Sequence, residues 1–111
     1  REREAREREA RMARLKEYVS GETFAKREWI DNYTVSIRSL YFHSEGLGIE
    51  DCYIESMTYG VTRPSKHPFR WSITMDGELR VVYANENCYI YSIDMRRDCI
   101  QWGDGTTYYR H

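Results

Sequence analysis

The fold of this chain is decided by residues 69–83, which read FRWSITMDGELRVVY. Apolar and polar side chains alternate from Phe69 to Met75, and this period of two is typical of a strand with one buried face. Asp76-Gly77 favours a tight two-residue hairpin turn. The stretch therefore predicts an antiparallel hairpin whose buried face carries Trp71, Ile73, Met75, Leu79, Val81 and Tyr83.

Turn signals continue the hairpin towards the C-terminus. Residues 84–87, 95–98 and 103–105 are rich in Asn, Asp and Gly, so the region after residue 68 is predicted to be an antiparallel meander. Residues 44–48 and 62–68 are predicted to be longer loops, the second because of its prolines. With the strands expected from Tyr33 onward, the sheet should be strongly twisted, have six or seven strands and be able to curl into a partial barrel.

The N-terminal segment has a different pattern. Residues 1–10 read REREAREREA, in which opposite charges at i,i+4 support a helix without an apolar face. Apolar spacing begins only at Met12, Leu15 and Val19, and Gly21 is the expected stop. We predict a charged N-terminal helix over 1–21 with projecting first turns, and a sheet domain over 22–111 that begins with a short helical segment from Thr23 to about Ile30.

Together these elements predict one globular α+β domain, with the helix packed on the sheet. The 111 residues include 17 Lys and Arg against 18 Asp and Glu, and this near-neutral charge argues against a nucleic-acid-binding protein. The sequence has no long apolar run, no signal-like segment and no CxxC pair among its three cysteines. We therefore expect a cytoplasmic protein without membrane contact.

Motifs of catalysis or cofactor binding are absent from the sequence. His43 and the three cysteines, Cys52, Cys88 and Cys99, lack the paired spacing of zinc ligands, so we expect neither a metal nor another cofactor. Catalysis would need His43 or His67 as base beside a carboxylate such as Asp51 or Glu55. No motif supports that pairing, and we expect a protein that is not an enzyme.

Tyrosine enrichment is the feature that most suggests a function. Ten tyrosines occur in 111 residues, and residues 51–57, DCYIESM, resemble residues 87–93, NCYIYSI. If the two segments are equivalent strands, Tyr53, Tyr89 and Tyr91 share one sheet face. That face either fills the interior of the sheet or forms a recognition surface.

We interpret the chain as a protein-binding module of the inhibitor or adaptor type, such as a phage makes against a host system. Its partner would be another protein, with self-association as a further expectation, and it would bind through a tyrosine-rich face or a strand edge. The first alternative is a β-cup for a small molecule, closed by the helix and lined by Trp71, Tyr83, Tyr89 and Tyr91. A weaker alternative is single-stranded nucleic acid bound by the basic loop 63–70. The candidate binding residues are Tyr53, Tyr89, Tyr91, Met57, Glu55, Arg63, Lys66 and Arg70.

Overall fold

The computed structural model describes residues 1–62, 64–103 and 105–111 of the chain. This part contains one helix and nine strands. They are α1 (Glu2–Val19), β1 (Thr23–Asp31), β2 (Thr34–Phe42), β3 (Leu47–Ser56), β4 (Gly60–Val61), β5 (Ser65–Ile73), β6 (Leu79–Tyr83), β7 (Cys88–Asp94), β8 (Cys99–Trp102) and β9 (Thr106–Arg110).

Eight of the strands close into an antiparallel barrel. Each pairs with the next along the chain except β4, which pairs only with the end of β3 and leaves β3 to pair with β5. The barrel closes where β9 pairs with β1, opposite Phe24 and Ala25. The predicted helix and antiparallel sheet are confirmed, but the sheet is a closed barrel, and six or seven strands was an underestimate.

The predicted hairpin is present as β5 and β6. Trp71 lies opposite Val81 and Ile73 opposite Leu79, and these side chains point into the barrel. Met75, predicted on the same buried face, lies in the turn and is 64% exposed, so that part of the prediction is wrong. The turn differs from the prediction, because Thr74 N–H donates to the Glu78 carbonyl at 2.8 Å and three residues, 75–77, form the loop. Gly77 has φ of +80°, the left-handed conformation that three-residue hairpins require at this position.

The predicted helical segment after Thr23 is wrong, since these residues form β1. Phe24 points into the barrel opposite Leu40, while Trp29 points outward opposite Val35 and is 63% exposed. The sequence spacing fitted one turn of helix equally well. Pairing with β2 along nearly the whole strand satisfies the backbone groups and buries Phe24, and this tertiary gain overrides the local preference.

Two further boundaries also differ from the prediction. β3 begins at Leu47, so part of the predicted loop 44–48 is strand. Residues 65–68 of the predicted loop 62–68 belong to β5, where Pro68 lies opposite Ile49.

The helix covers one end of the barrel. Leu15 and Val19 are buried there, whereas residues 1–11 are exposed, so the helix docks by its second half. Gly21 ends the helix with φ of +77° as predicted. Because β1 runs away from the helix, the other end of the barrel lies at residues such as Lys26, Arg38 and Asn85.

Edge-to-face aromatic contacts run through the barrel interior. The ring of Phe42 lies 5.9 Å from Phe24, 5.3 Å from Phe69 and 5.7 Å from Trp71. Phe69 in turn contacts Tyr83 at 5.6 Å. Such pairs add to the free energy of area burial, so the core is a connected set of aromatic rings that reaches from the helix towards the open end.

A polar cluster fastens the seam between β9 and β1. The Arg110 guanidinium donates two hydrogen bonds of 3.2 Å to the Glu22 carboxylate, one to each oxygen, and lies 3.5 Å from the Asp98 carboxylate. Tyr18 on the helix donates a 2.6 Å hydrogen bond to Asp98, and the guanidinium stacks over its ring. The cluster therefore joins the helix, β1 and β9.

We predict that Gly48→Ala destabilises the barrel by about 1–3 kcal/mol, the usual cost of overpacking. A Cβ at Gly48 would clash with the ring of Phe69 and lie 2.6 Å from the Tyr41 carbonyl oxygen. Urea unfolding measures the cost. Phe69→Leu removes part of the ring that a Cβ at position 48 would meet. The double variant should therefore lose less free energy of unfolding than the sum of the two single variants. If the two losses are strictly additive, this packing is contradicted.

A second prediction concerns stability at high pH. Burial, followed by the hydrogen bond to Asp98, raises the pKa of Tyr18 from 10.0 to about 12. Between pH 10 and 12 the unfolded chain has therefore lost a proton that the folded chain keeps, so the free energy of unfolding falls as the pH rises through this window. Urea unfolding across this range should show a shallower fall for Tyr18→Phe; identical slopes would show that the phenol is not coupled to folding.

Candidate functional site

A cavity opens at the end of the barrel opposite the helix. Its volume is about 510 Å³, within the range of small-molecule sites. The lining combines aromatic rings with charged and amide side chains. These are Lys26, Arg38, Glu50, His67, Pro68, Tyr83, Ala84, Asn85, Asn87, Tyr89, Tyr91, Trp102, Thr106 and Tyr108.

Aromatic rings on β6, β7, β8 and β9 form one wall of the cavity. Tyr89 contacts Tyr83 at 5.6 Å and Trp102 at 5.4 Å between ring centroids, both edge to face. Tyr91 and Tyr108 pack deeper, 5.8 Å apart, and are 4% and 3% exposed. We call Tyr83, Tyr89, Tyr91, Trp102 and Tyr108 the aromatic wall; it offers ring faces and phenol groups to a ligand.

Charged side chains on β1, β2 and β3 form the opposite wall. Lys26 lies opposite Arg38 in the ladder and is paired at 3.2 Å with Glu28 on the same face. Glu50 is only 13% exposed, and its Oε2 atom lies 3.7 Å from Arg38 Nε and accepts a 2.9 Å hydrogen bond from Tyr83. Glu50 therefore joins the two walls.

The pairing of β3 with β5 brings three chemically distinct side chains together. Glu50 lies directly opposite His67, and Cys52, two residues further along β3, points to the same face. Their carboxylate, thiol and imidazole ligand atoms all lie within 4.8 Å of one another. We call Glu50, Cys52 and His67 the mixed cluster.

Hydrogen bonds arrange the mixed cluster. Cys52 Sγ donates to Glu50 Oε1 at 3.4 Å, the oxygen that Tyr83 does not use, and His67 Nε2 contacts the Ser65 hydroxyl. Burial, followed by the Glu50 carboxylate, raises the pKa of the Cys52 thiol. A raised pKa favours the thiol form and disfavours a role as an unassisted nucleophile.

Tyr53, Tyr89 and Tyr91 do not share a face, so the prediction from the repeat is wrong. Tyr89 and Tyr91 line the cavity, whereas Tyr53 is on the outer face of β3, opposite Ile37. In β3 the even-numbered residues point inward, and in β7 the odd-numbered residues do. Sequence similarity between two strands does not fix their faces, because each strand takes its register from its own neighbours.

The basic residues of the predicted loop 63–70 are also divided. Lys66 and Arg70 lie on the outer face of β5 and contact Asp51 at 3.5 Å and Glu86 at 4.0 Å. Arg63 lies outside the described residues. Both described cations lie beside acids, so these two positions form a charge-balanced surface.

Glu55 and Met57 lie far from the cavity walls. Glu55 is on the outer face of β3, opposite Val35, and Met57 is 81% exposed in the connection to β4. Apolar side chains that are 59–90% exposed collect near this end of β1 to β4. We call them the apolar tip: Trp29, Ile30, Tyr33, Met57, Tyr59 and Val61.

Three of the four side chains named for the alternative β-cup line the cavity, and the fourth does not. Tyr83, Tyr89 and Tyr91 line the cavity as that alternative expected, but Trp71 is in the core, where its indole N–H donates to the carbonyls of His43 and Leu47. The helix covers the other end of the barrel and does not close the cavity.

The side-chain sets considered for metal binding and catalysis are dispersed. His43 packs on Tyr41 near the helix end of the barrel, Cys88 is exposed and Cys99 is buried in β8. Asp51 and Glu55 face outward, away from His67. Sequence reasoning missed Glu50, the acid that does face His67, since only the β3–β5 register identifies it.

Lys26 and Arg38 were also missed as cavity residues. Lys26 falls in the segment that was predicted to be helical, and that prediction gave no reason to place its side chain inside the sheet. Residues 23–31, TFAKREWID, show no regular alternation of apolar and polar side chains, so no signal in the sequence marked this segment as a strand.

Comparison of the chain with protein-family models, with curated proteins and with solved structures gave no match. Over the described residues, no helix combines the length and the apolar character needed to cross a membrane. The site is therefore interpreted from its own geometry.

The three cysteines should react with iodoacetamide at different rates in the native protein. Cys88 is exposed and should react first, Cys52 is partly buried and should react more slowly, and Cys99, at 1% exposed, should react only on unfolding. Peptide mass mapping after timed labelling measures all three in one sample. In urea the rates should converge; rapid native labelling of Cys99 would contradict its burial in β8.

Proposed function

We propose that this chain binds a small, planar, polar aromatic molecule in the barrel cavity. The observation that carries the proposal is the aromatic wall facing a charged wall across a cavity of about 510 Å³. Ring faces favour flat ligands, and the polar groups opposite them fix orientation. A barrel interior that is filled near the helix and open at the other end suits this role.

The polar groups define which ligands fit. Tyr89 and Trp102 present partly exposed rings near the mouth, where Asn85 and Asn87 supply amide donors and acceptors. Lys26 and Arg38 add two cations against the single carboxylate of Glu50 among the lining side chains. Since Glu50 is already engaged by Arg38 and Tyr83, we expect ligands with acidic or hydrogen-bond-accepting substituents to bind better than amines.

We predict that the aromatic anion anilinonaphthalenesulfonate binds in the cavity with one-to-one stoichiometry, more tightly than cyclohexanecarboxylate. Tyr89→Ala removes a central ring and should weaken binding by about tenfold, the value of roughly one aromatic contact. Tyr59→Ala is the matched control, because that ring is 90% exposed on the apolar tip. Fluorescence titration gives the affinities.

Labelling of Cys52 locates the bound dye. In a Cys88→Ser protein, dye in the cavity should slow the alkylation of Cys52, whose sulfur contacts Glu50 of the cavity wall. If the affinity falls in Tyr59→Ala instead, and Cys52 stays unprotected, the dye is on the apolar tip and the cavity proposal is wrong.

Protein binding, expected from the sequence, is a second proposal. The observation that favours it is the apolar tip, since exposed apolar patches commonly mark interaction surfaces. Tyr53, Glu55 and Met57 would belong to such a surface, but Tyr89 and Tyr91 would not. Dye binding at the tip would support this proposal over the first.

A further inference from the structure

We propose that the mixed cluster of Glu50, Cys52 and His67 is a binding site for a divalent transition-metal ion of the Zn²⁺ type, with a fourth coordination position open to the cavity. The inference does not depend on the aromatic ligand. It rests on the convergence of one carboxylate oxygen, one thiol sulfur and one imidazole nitrogen, with all three ligand atoms within 4.8 Å of one another. These are the three ligand types that Zn²⁺ takes in proteins.

The distance between the sulfur and the carboxylate oxygen fits tetrahedral coordination. Zn–S and Zn–O bonds of about 2.3 and 2.0 Å, at a tetrahedral angle, place sulfur and oxygen about 3.5 Å apart. Cys52 Sγ and Glu50 Oε1 are 3.4 Å apart as a hydrogen-bonded pair. Replacing the thiol proton by the ion therefore needs little movement of these two side chains. Rotation of the exposed His67 imidazole towards them completes the set.

Neighbouring groups hold the ligands in the way that metal sites require. Glu50 Oε2 accepts the hydrogen bond from Tyr83, which leaves Oε1 for the ion. His67 Nε2 contacts the Ser65 hydroxyl, so Nδ1 is the nitrogen that would coordinate. Partners of this kind orient ligands and raise affinity in known metal sites.

The ladder itself provides the geometry. Glu50 and His67 are direct cross-strand neighbours, and Cys52 follows Glu50 on the same face of β3. Three ligands from two paired strands form a rigid frame and occupy one hemisphere around the ion. Glu50 and His67 also line the cavity, so we place the remaining position on the cavity side, which is the arrangement of sites that keep a position for water or a ligand.

Charge sets the expected strength. Cys52 as thiolate and Glu50 as carboxylate neutralise a divalent ion, but the Arg38 guanidinium, 3.7 Å from Glu50, repels it. Binding should therefore be weaker than at a four-ligand structural site. Arg38→Gln should therefore bind the metal more tightly, whereas the loss of any ligand should weaken binding.

The test uses Zn²⁺ and Co²⁺ alone, with the full chain carrying Cys88→Ser so that the exposed thiol cannot bind. Competition with a chromophoric chelator should give one equivalent of Zn²⁺, and Co²⁺ should show a thiolate-to-metal charge-transfer band. Cys52→Ser and His67→Gln should each weaken Zn²⁺ binding by at least about tenfold, and Cys52→Ser should also abolish the band.

Matched controls separate ligand loss from unfolding. His43→Gln removes an imidazole at the other end of the barrel and should leave Zn²⁺ affinity unchanged. Thermal unfolding without metal should give similar midpoints for all variants, while added Zn²⁺ should raise the midpoint only where the cluster is intact. Equal affinity of the Cys88→Ser parent and its Cys52→Ser variant, or no charge-transfer band in the parent, would overturn the proposal whatever the result with aromatic ligands.

Discussion

Closure of β9 against β1 is the constraint on which the rest of the structure depends. The two strands share only two ladder pairs, at Phe24 and Ala25. Arg110 supplements this short ladder with a bidentate contact to Glu22, and Asp98 ties the same seam to the helix through Tyr18. An open sheet of these strands would expose the aromatic rings to water. Closure into a barrel buries the rings in its interior.

Unequal strand lengths then determine where the cavity lies. β1, β2 and β3 have nine, nine and ten residues, whereas β6, β8 and β9 have five, four and five. The long strands extend beyond the barrel on one side and carry Lys26, Arg38 and Glu50 past the end of the aromatic core. The short strands β6 and β8 end in Tyr83 and Trp102. The cavity is thus polar on one side and aromatic on the other because the two halves of the barrel differ in height.

Local patterns predicted the elements that depend on local sequence. The helix, its end at Gly21 and the β5–β6 hairpin each have a periodicity and a stop or turn signal of their own. β1 lacked such a signal, and only its two partner strands decide its conformation. The site was less predictable than the fold: Tyr83, Tyr89 and Tyr91 were recognised as candidates for a cup, but Glu50 and its neighbours meet through a register that skips β4.

Glu50 connects the two properties of the cavity. One carboxylate oxygen is held by Tyr83 of the aromatic wall and by Arg38 of the charged wall, and the other contacts Cys52. A group bound at the mixed cluster would therefore change the electrostatic field at a ligand on the aromatic wall. In the reverse direction, a ligand that draws Arg38 away from Glu50 would leave more of the Glu50 charge to act on the cluster. Because Glu50 is 13% exposed, water screens this coupling only partly. The two proposed occupants of the cavity are thus linked through one side chain, although each can bind without the other.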